Sequence, residues 1–429
     1  MTERDPFGTA LRGRLHEELN ALDVPEIPAE ILGEQQRSTV RRRTLISAAA
    51  ASAVALAAVG AEMERRRSPS AATLGAPPAR PRSSTPKGWT SLAALPMTPR
   101  SGLRGVRVGD RAVFLGGLLG LPCPPNASCL APTRWPDELA ILEGAGWRTG
   151  ATGVKESPVS GAVAVGDRVI LTIERQVLVL GPENGRVAAL TTLPADMGPL
   201  TTDGSRLFGV SGSDEGGGVP ARVQVFTLAS GAWTTLPPDP LGASFDRLVI
   251  WTDAGLVLLA KKLVASPGGA DGPSFVRAAL FADGAWRRLP DLDCIGGWSW
   301  HWTGTRLVAP QLGSADGGEI DGYGRAIPFG GWLDPVTGAS GPLPNTPATE
   351  AITQWVDGPA DGDLMVVQGW LYDDAAGTWS ALTRPPGGDW IDSGGVLIGR
   401  RLIVAGGYDA ADDYRSEAGL TNAAWAIDL

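Results

Sequence analysis

The stretch Gly399-Arg400-Arg401-Leu402-Ile403-Val404-Ala405-Gly406-Gly407 joins a tight turn to a short run of branched apolar residues and closes it with a glycine doublet. The same arrangement recurs along the chain. Gly109-Asp110-Arg111 precedes the apolar run 112–117, Gly166-Asp167-Arg168 precedes 169–173, and Gly204-Ser205-Arg206 precedes 207–210. Ala254-Gly255, Gly304-Thr305-Arg306 and Asp361-Gly362-Asp363 stand before 256–260, 307–310 and 364–367. From Gly109 to Gly399 is 290 residues over six steps, about 48 per unit. A fixed period of this size marks repeated supersecondary units, and glycine in the turn supplies the backbone freedom that a tight strand connection needs.

A second landmark interleaves with the first. A turn followed by Trp-x-x-Leu occurs at Trp89, Trp233, Trp286 and Trp379, with degenerate copies at Trp147, at Thr191-Thr192-Leu193-Pro194 and at Gly341-Pro342-Leu343-Pro344. Each unit therefore reads as four short antiparallel strands: one before the glycine turn, one after it, a third, and the Trp strand. Seven such sheets set around an axis make a β-propeller. The first Trp strand precedes the first turn, and the last turn has no Trp strand after it. Residues 89–95 should therefore supply the outer strand of the last blade, burying Trp89 and removing two sheet edges that would otherwise invite aggregation. The Trp-strand tryptophans are expected between blades, where their large area is covered.

The doublets Gly116-Gly117 and Gly406-Gly407, and the pairs Phe226…Trp233 and Tyr372…Trp379 with six residues between them, resemble the kelch-type propellers of the galactose-oxidase-like superfamily. The resemblance spans residues 88–429 and implies an all-β, seven-bladed, kelch-like propeller with four-stranded blades. It does not imply the copper-radical oxidation known in that superfamily, because that chemistry needs two His and two Tyr around copper, and this chain has 2 His in all, one of them before residue 88. Fold alone carries no activity.

Composition agrees with a turn-rich β protein. Among 429 residues there are 58 Gly and 35 Pro, with 43% hydrophobic residues. Residues 1–87 carry 13 Lys and Arg against 10 Asp and Glu; residues 88–429 carry 24 against 36, a net −12. A domain this acidic lacks the basic footprint of a nucleic-acid binder.

The first 87 residues read as an address. Phe7, Leu11, Leu15, Leu19 and Leu22 fall on one face of a short helix, so 1–40 is expected to be a helical cytoplasmic segment. Residues 41–63 hold Arg41-Arg42-Arg43, the charge-free run 44–61 and Glu62, followed by Arg65-Arg66-Arg67. That run is about 27 Å long as a helix, close to the roughly 30 Å hydrocarbon core. The short N-terminal segment, arginine triplet, Ala-rich span and Pro/Ser linker, over about 65 residues, resemble the start of single-pass envelope proteins of high-GC Gram-positive bacteria, which implies one transmembrane helix, a cytoplasmic N-terminus and an extracytoplasmic propeller. The alternative is a twin-arginine export signal, Arg42-Arg43-Thr44-Leu45-Ile46, cleaved near Ala61. Residues 64–87, with Pro69, Pro77, Pro78, Pro81 and Pro86, are the expected linker.

Long connections after the second strands, at 118–137, 211–221, 261–275, 311–325 and 408–422, emerge on the same side of every blade and build one elaborate face, the usual place for binding. Tyr323 and Tyr408 lie there, as do Asp316, Glu319 and Asp321 on one loop and Asp412 and Asp413, with Asp409 and Glu417, on another. Asp-x-x-Glu-x-Asp at 316–321 is a weak calcium pattern of oxygen ligands; no other metal or cofactor is indicated. Trp300, His301 and Trp302 alternate on a first strand and read either as core packing or as a sugar-stacking platform. Cys123 and Cys129 bracket five residues and would pair in an oxidising compartment, leaving Cys294 as a buried thiol. Two functions follow. The first is a membrane-anchored extracytoplasmic interaction module for a protein or an envelope glycan. The alternative is a carbohydrate- or cell-wall-active enzyme that works with loop carboxylates, which needs no histidine.

Overall fold

The computed structural model describes residues 88–122, 134–212, 220–262, 276–292, 294, 299–310, 330–343, 356, 358–412, 414 and 416–429. They form seven four-stranded antiparallel sheets. Blade 1 contains Ser101–Val108, Arg111–Leu118, Glu138–Glu143 and Gly146–Ala151; blade 2 contains Val159–Val165, Arg168–Ile173, Gln176–Gly181 and Arg186–Thr192. Blades 3 and 4 start at Thr201–Thr202 and Ser244–Thr252, blades 5 and 6 at His301–Trp302 and Ala360–Asp361. In blades 1 to 6 the strand order in space follows the chain.

Blade 7 breaks that order in the way the strand count demands. Gly394–Ile398, Arg401–Ala405 and Ala424–Asp428 are consecutive, and the fourth strand is Thr90–Ser91 from the start of the domain. Thr90 faces Ala426 and Ser91 faces Trp425. The zipper continues beyond the strand: Leu92 N–H donates to Ala424 O at 2.9 Å, Leu95 N–H to Asn422 O at 2.7 Å, and Asn422 Nδ2 to Leu95 O at 3.1 Å. Seven turn glycines hold the predicted positions, all at positive φ, from 55° at Gly362 to 126° at Gly255.

The Trp strands are the fourth strands, but their tryptophans are half-buried rather than enclosed between blades, and Trp89 is likewise half-buried. Three of the rings lean on an aromatic of their own blade: Phe226–Trp233, Phe281–Trp286 and Tyr372–Trp379 lie 4.7–5.1 Å apart. The indole N–H then reaches the preceding blade. Trp147 donates to Ala93 O at 2.8 Å, Trp286 to Pro237 O at 2.9 Å, Trp233 to Thr191 Oγ1 at 3.2 Å and Trp89 to Thr383 O at 2.9 Å. A half-buried ring with a bonded polar tip is the economical use of Trp at such a seam.

Both glycine doublets converge on one residue, Arg100: the first on its side chain, the second on its backbone carbonyl. Arg100 is fully buried between the closing segment and blade 1. Its Nη1 donates to Gly116 O at 3.1 Å, its Nε to Thr98 O at 2.8 Å, and its Nη2 pairs with Glu138. A Cβ at Gly117 would come within 2.9 Å of the Arg100 Cδ, and one at Gly406 within 3.0 Å of Arg100 O. The doublets leave room for the chain to cross this buried cation, which needs its full set of acceptors.

The expected helical and membrane elements are corrected. Among the described residues the only helices are two three-residue 3-10 turns, Ala410–Asp412 and Glu417–Gly419, and no helix is long and apolar enough to cross a membrane. The physical reason is the distribution of the apolar residues. In the described residues they are dealt out in strands of two to nine residues, whereas a span needs about 20 in succession. The helical segment 1–40, the run 44–61 with the cleavage position at Ala61, and the linker 64–87 lie outside the described residues. Single-pass anchoring, the cytoplasmic N-terminus and partnership with a membrane are therefore not carried forward.

Candidate functional site

Among the described residues, a concavity lies on blade 7, on the elaborate face. The second strand ends at Gly406-Gly407, with φ of 66° and 116°, and the chain continues as Tyr408–Asp409. This short strand pairs with Trp390–Ile391, setting Asp409 opposite Trp390 and Tyr408 opposite Ile391. The two 3-10 turns follow, the second capped by Ser416 Oγ accepting from Ala418 N–H. Thr421 N–H donates to Gly407 O at 3.0 Å and returns the chain to the third strand. Between these walls lies a cleft of about 430 Å³, lined by Trp390, Asp409, Ala411, Asp412, Ala418, Gly419, Leu420 and Thr421. That is within the size range of small-ligand sites, about 300–1,000 Å³.

The two carboxylates differ in their commitments. Asp412 Oδ2 accepts from Tyr408 Oη at 3.0 Å, Ser416 N–H at 3.0 Å and Ser416 Oγ at 2.9 Å. It pins the loop, and it raises the Tyr408 phenol pKa together with burial, which is the larger cause. Asp409 Oδ1 accepts from Asp389 N–H at 2.9 Å and Ala411 N–H at 3.0 Å. Its Oδ2 has no partner among the described residues. Trp390 is 9% exposed, with its Nε1–H on Pro386 O at 3.2 Å and its ring 5.4 Å from Trp425. A Cβ at Gly388 would lie 2.8 Å from the Trp390 ring and 3.0 Å from Asp409 Oδ2. Trp390 therefore forms the floor with an edge exposed, not a stacking platform. At the rim, Arg134 of blade 1 pairs with Glu417 at 2.9 Å.

Of the residues singled out from sequence, the structure brings Asp409 and Asp412 to the lining of this cleft, with Glu417 at its rim and Tyr408 as a buried prop behind it. Trp300 is 8% exposed and belongs to the core shared by blades 4 and 5, and Trp302 packs against the same cluster. His301 Nε2 bonds Gly362 O of blade 6 at 3.1 Å; burial lowers its pKa, against the opposing pull of that bond and of Asp361, Asp363 and Asp374, so the ring is neutral and donates there. These three side chains stitch blades together. Cys294 is buried, as expected. Asp316, Glu319, Asp321, Tyr323, Asp413, Cys123 and Cys129 lie outside the described residues, and with them the calcium pattern and the expected disulfide. Among the described residues no group of three or more His, Cys, Asp or Glu is placed to hold a metal ion.

Trp390, Leu420 and Thr421 were not singled out from sequence. Trp390 carried a weak signal, an aromatic just ahead of a first strand; Leu420 and Thr421 carried none, because they reach the cleft only through the return of the chain to the third strand. No protein-family model matches the chain, and no curated protein matches it. The kelch likeness thus rests on blade architecture and the doublets, and it is not a statement of membership.

Proposed function

We propose that the protein is a carbohydrate-directed propeller in which a sugar unit enters the blade 7 cleft and is met by the carboxylates of Asp409 and Asp412. The expected display of an interaction face from a membrane anchor is replaced by this reading. The observation that carries it is the open Oδ2 of Asp409 at the wall of a cleft of ligand size. An ionised carboxylate accepts from hydroxyl groups with charge-assisted bonds, and a neutral, polyhydroxyl ligand supplies such donors without the cost of bringing a second anion to an acidic domain.

Hydrolysis of the bound glycan is a second reading, favoured by one observation: two carboxylates share the cleft, and Asp409 holds the loop through Oδ1 alone, which leaves its Oδ2 open. Titration calorimetry with a panel of neutral oligosaccharides, with release of reducing ends followed in parallel, tests both. Asp409→Asn keeps an oxygen for Asp389 and Ala411 and replaces the open one. It should weaken binding about 10- to 100-fold, the loss of one hydrogen bond to a charged group. Binding unchanged in Asp409→Asn removes the proposal, and reducing ends released by the natural chain but not by the variant make it an enzyme.

A further inference from the structure

We infer that the axial channel of the propeller contains a second site, for a small oxyanion such as a carboxylate or phosphate, centred on Arg104. Arg104 lies in the middle of Ser101–Val108, the innermost strand of blade 1. That strand is covered behind by Arg111–Leu118, on one face by the innermost strand of blade 7 and on the other by that of blade 2. Alternation shows which side each residue takes: Leu103 joins the core shared with blade 7, while Val106 packs with Val159, Ala162 and Ala164 of blade 2. Arg104 shares the face of Val106, yet it is exposed. On a strand covered on three sides, the only open side in mid-strand is the axis.

The equivalent positions on the flanking blades are glycines that serve close packing: a Cβ at Gly394 would meet Leu103 Cβ at 2.7 Å, and one at Gly161 would face Thr172 at 3.5 Å. Arg104 stands five residues before its turn glycine, Gly109; the residues five before Gly166 and Gly399 on the flanking blades are Gly161 and Gly394. Next to Arg104, a Cβ at Gly105 would overlap the Gly395 carbonyl, so the backbones of blades 1 and 7 meet there. No side chain of Gly161 or Gly394 is there to pair with the Arg104 guanidinium, which makes no ion pair or hydrogen bond among the described residues. This differs from Arg107 on the same strand, which pairs with Asp361. The surrounding protein disfavours its charge, since desolvation alone lowers its pKa. A planar fork of five donors without acceptors is matched by a carboxylate or phosphate.

One carboxylate stands at the end of the neighbouring innermost strand. Asp392, exposed and just ahead of the first strand of blade 7, is beside Gly102, whose N–H donates to Asp392 O at 2.7 Å. It makes no ion pair with Arg104, and its negative charge at the elaborate-face end of the strand disfavours an anion approaching from that side. Its effect gives the test a direction.

The purified full chain is titrated calorimetrically with inorganic phosphate and, separately, with acetate at constant ionic strength. One saturable site per chain is expected, at least 10-fold weaker in Arg104→Gln and several-fold tighter in Asp392→Asn, while Asp409→Asn leaves it unchanged. Without added anion, Arg104→Gln should melt no lower than the natural chain, because an unpaired desolvated charge has been removed. Absence of a saturable site for both probes, binding indifferent to Arg104→Gln, or a lower melt of that variant, which would reveal a structural partner, each overturns the inference.

Discussion

Leu95→Ala tests how the ring is closed, because it removes packing at the seam and leaves the hydrogen bonds in place. Leu95 is 1% exposed and sits in a cluster drawn from blade 1 (Leu103, Ala112, Phe114, Ala140) and blade 7 (Val396, Ile403, Ala424). Its N–H and carbonyl bond Asn422, and an alanine keeps both. Three carbons are lost, about 2.4 kcal/mol at roughly 0.8 kcal/mol per buried methylene. A cavity that collapses only in part adds about 1 kcal/mol at roughly 24 cal/mol per Å³. The expected destabilisation is therefore about 3–4 kcal/mol. At about 2 °C per kcal/mol, the low end for larger domains, the melting temperature should fall by roughly 6–8 °C. Thermal melts followed by near-ultraviolet circular dichroism read this directly. Val336→Ala, at an exposed position, is the control and should stay within about 0.5 kcal/mol. A Leu95→Ala melt that coincides with that of Val336→Ala would refute the reasoning, since residue 95 would then not be buried between the first and last blades.

Two further outcomes follow from packing and titration. Gly105→Ala should destabilise by about 1–3 kcal/mol or more, because its methyl overlaps the Gly395 carbonyl, whereas at Gly161 the nearest atom is 3.5 Å away and the same change should be mild; urea melts of the two variants compare them. Tyr372 has its hydroxyl on Asp374 at 3.1 Å, and burial, then Asp374, raises its phenol pKa far above the ordinary value. A raised phenol pKa means that the folded state holds its proton longer than the unfolded one, so this contribution is complete below about pH 10 and is lost as pH rises above it. Absorbance titration at 295 nm should show that Tyr372→Phe leaves the tyrosinate amplitude below pH 11 unchanged; a reduced amplitude would contradict the assignment.

Blade number, strand order and the closing strand were legible in the sequence because they rest on local chemistry. A turn glycine needs positive φ, an apolar run needs two covered faces, and an unpaired Trp strand needs a partner, whatever the rest of the chain does. Sequence periodicity also placed Asp412 and Tyr408 on the elaborate face. It could not distinguish Asp412, with three donors on one oxygen, from Asp409, with one oxygen open, because that difference depends on where Ser416 and Asp389 return in space. Nor could it show that Trp300 serves the core while Arg104 stands open to the axis: Trp300 lies just ahead of an innermost strand and Arg104 within one, and only the neighbouring blades decide which side chains are covered. The tryptophans teach the same lesson. Their period announced seven blades, but their half-burial and their indole bonds to the preceding blade follow from the angle between sheets, which tertiary packing alone determines.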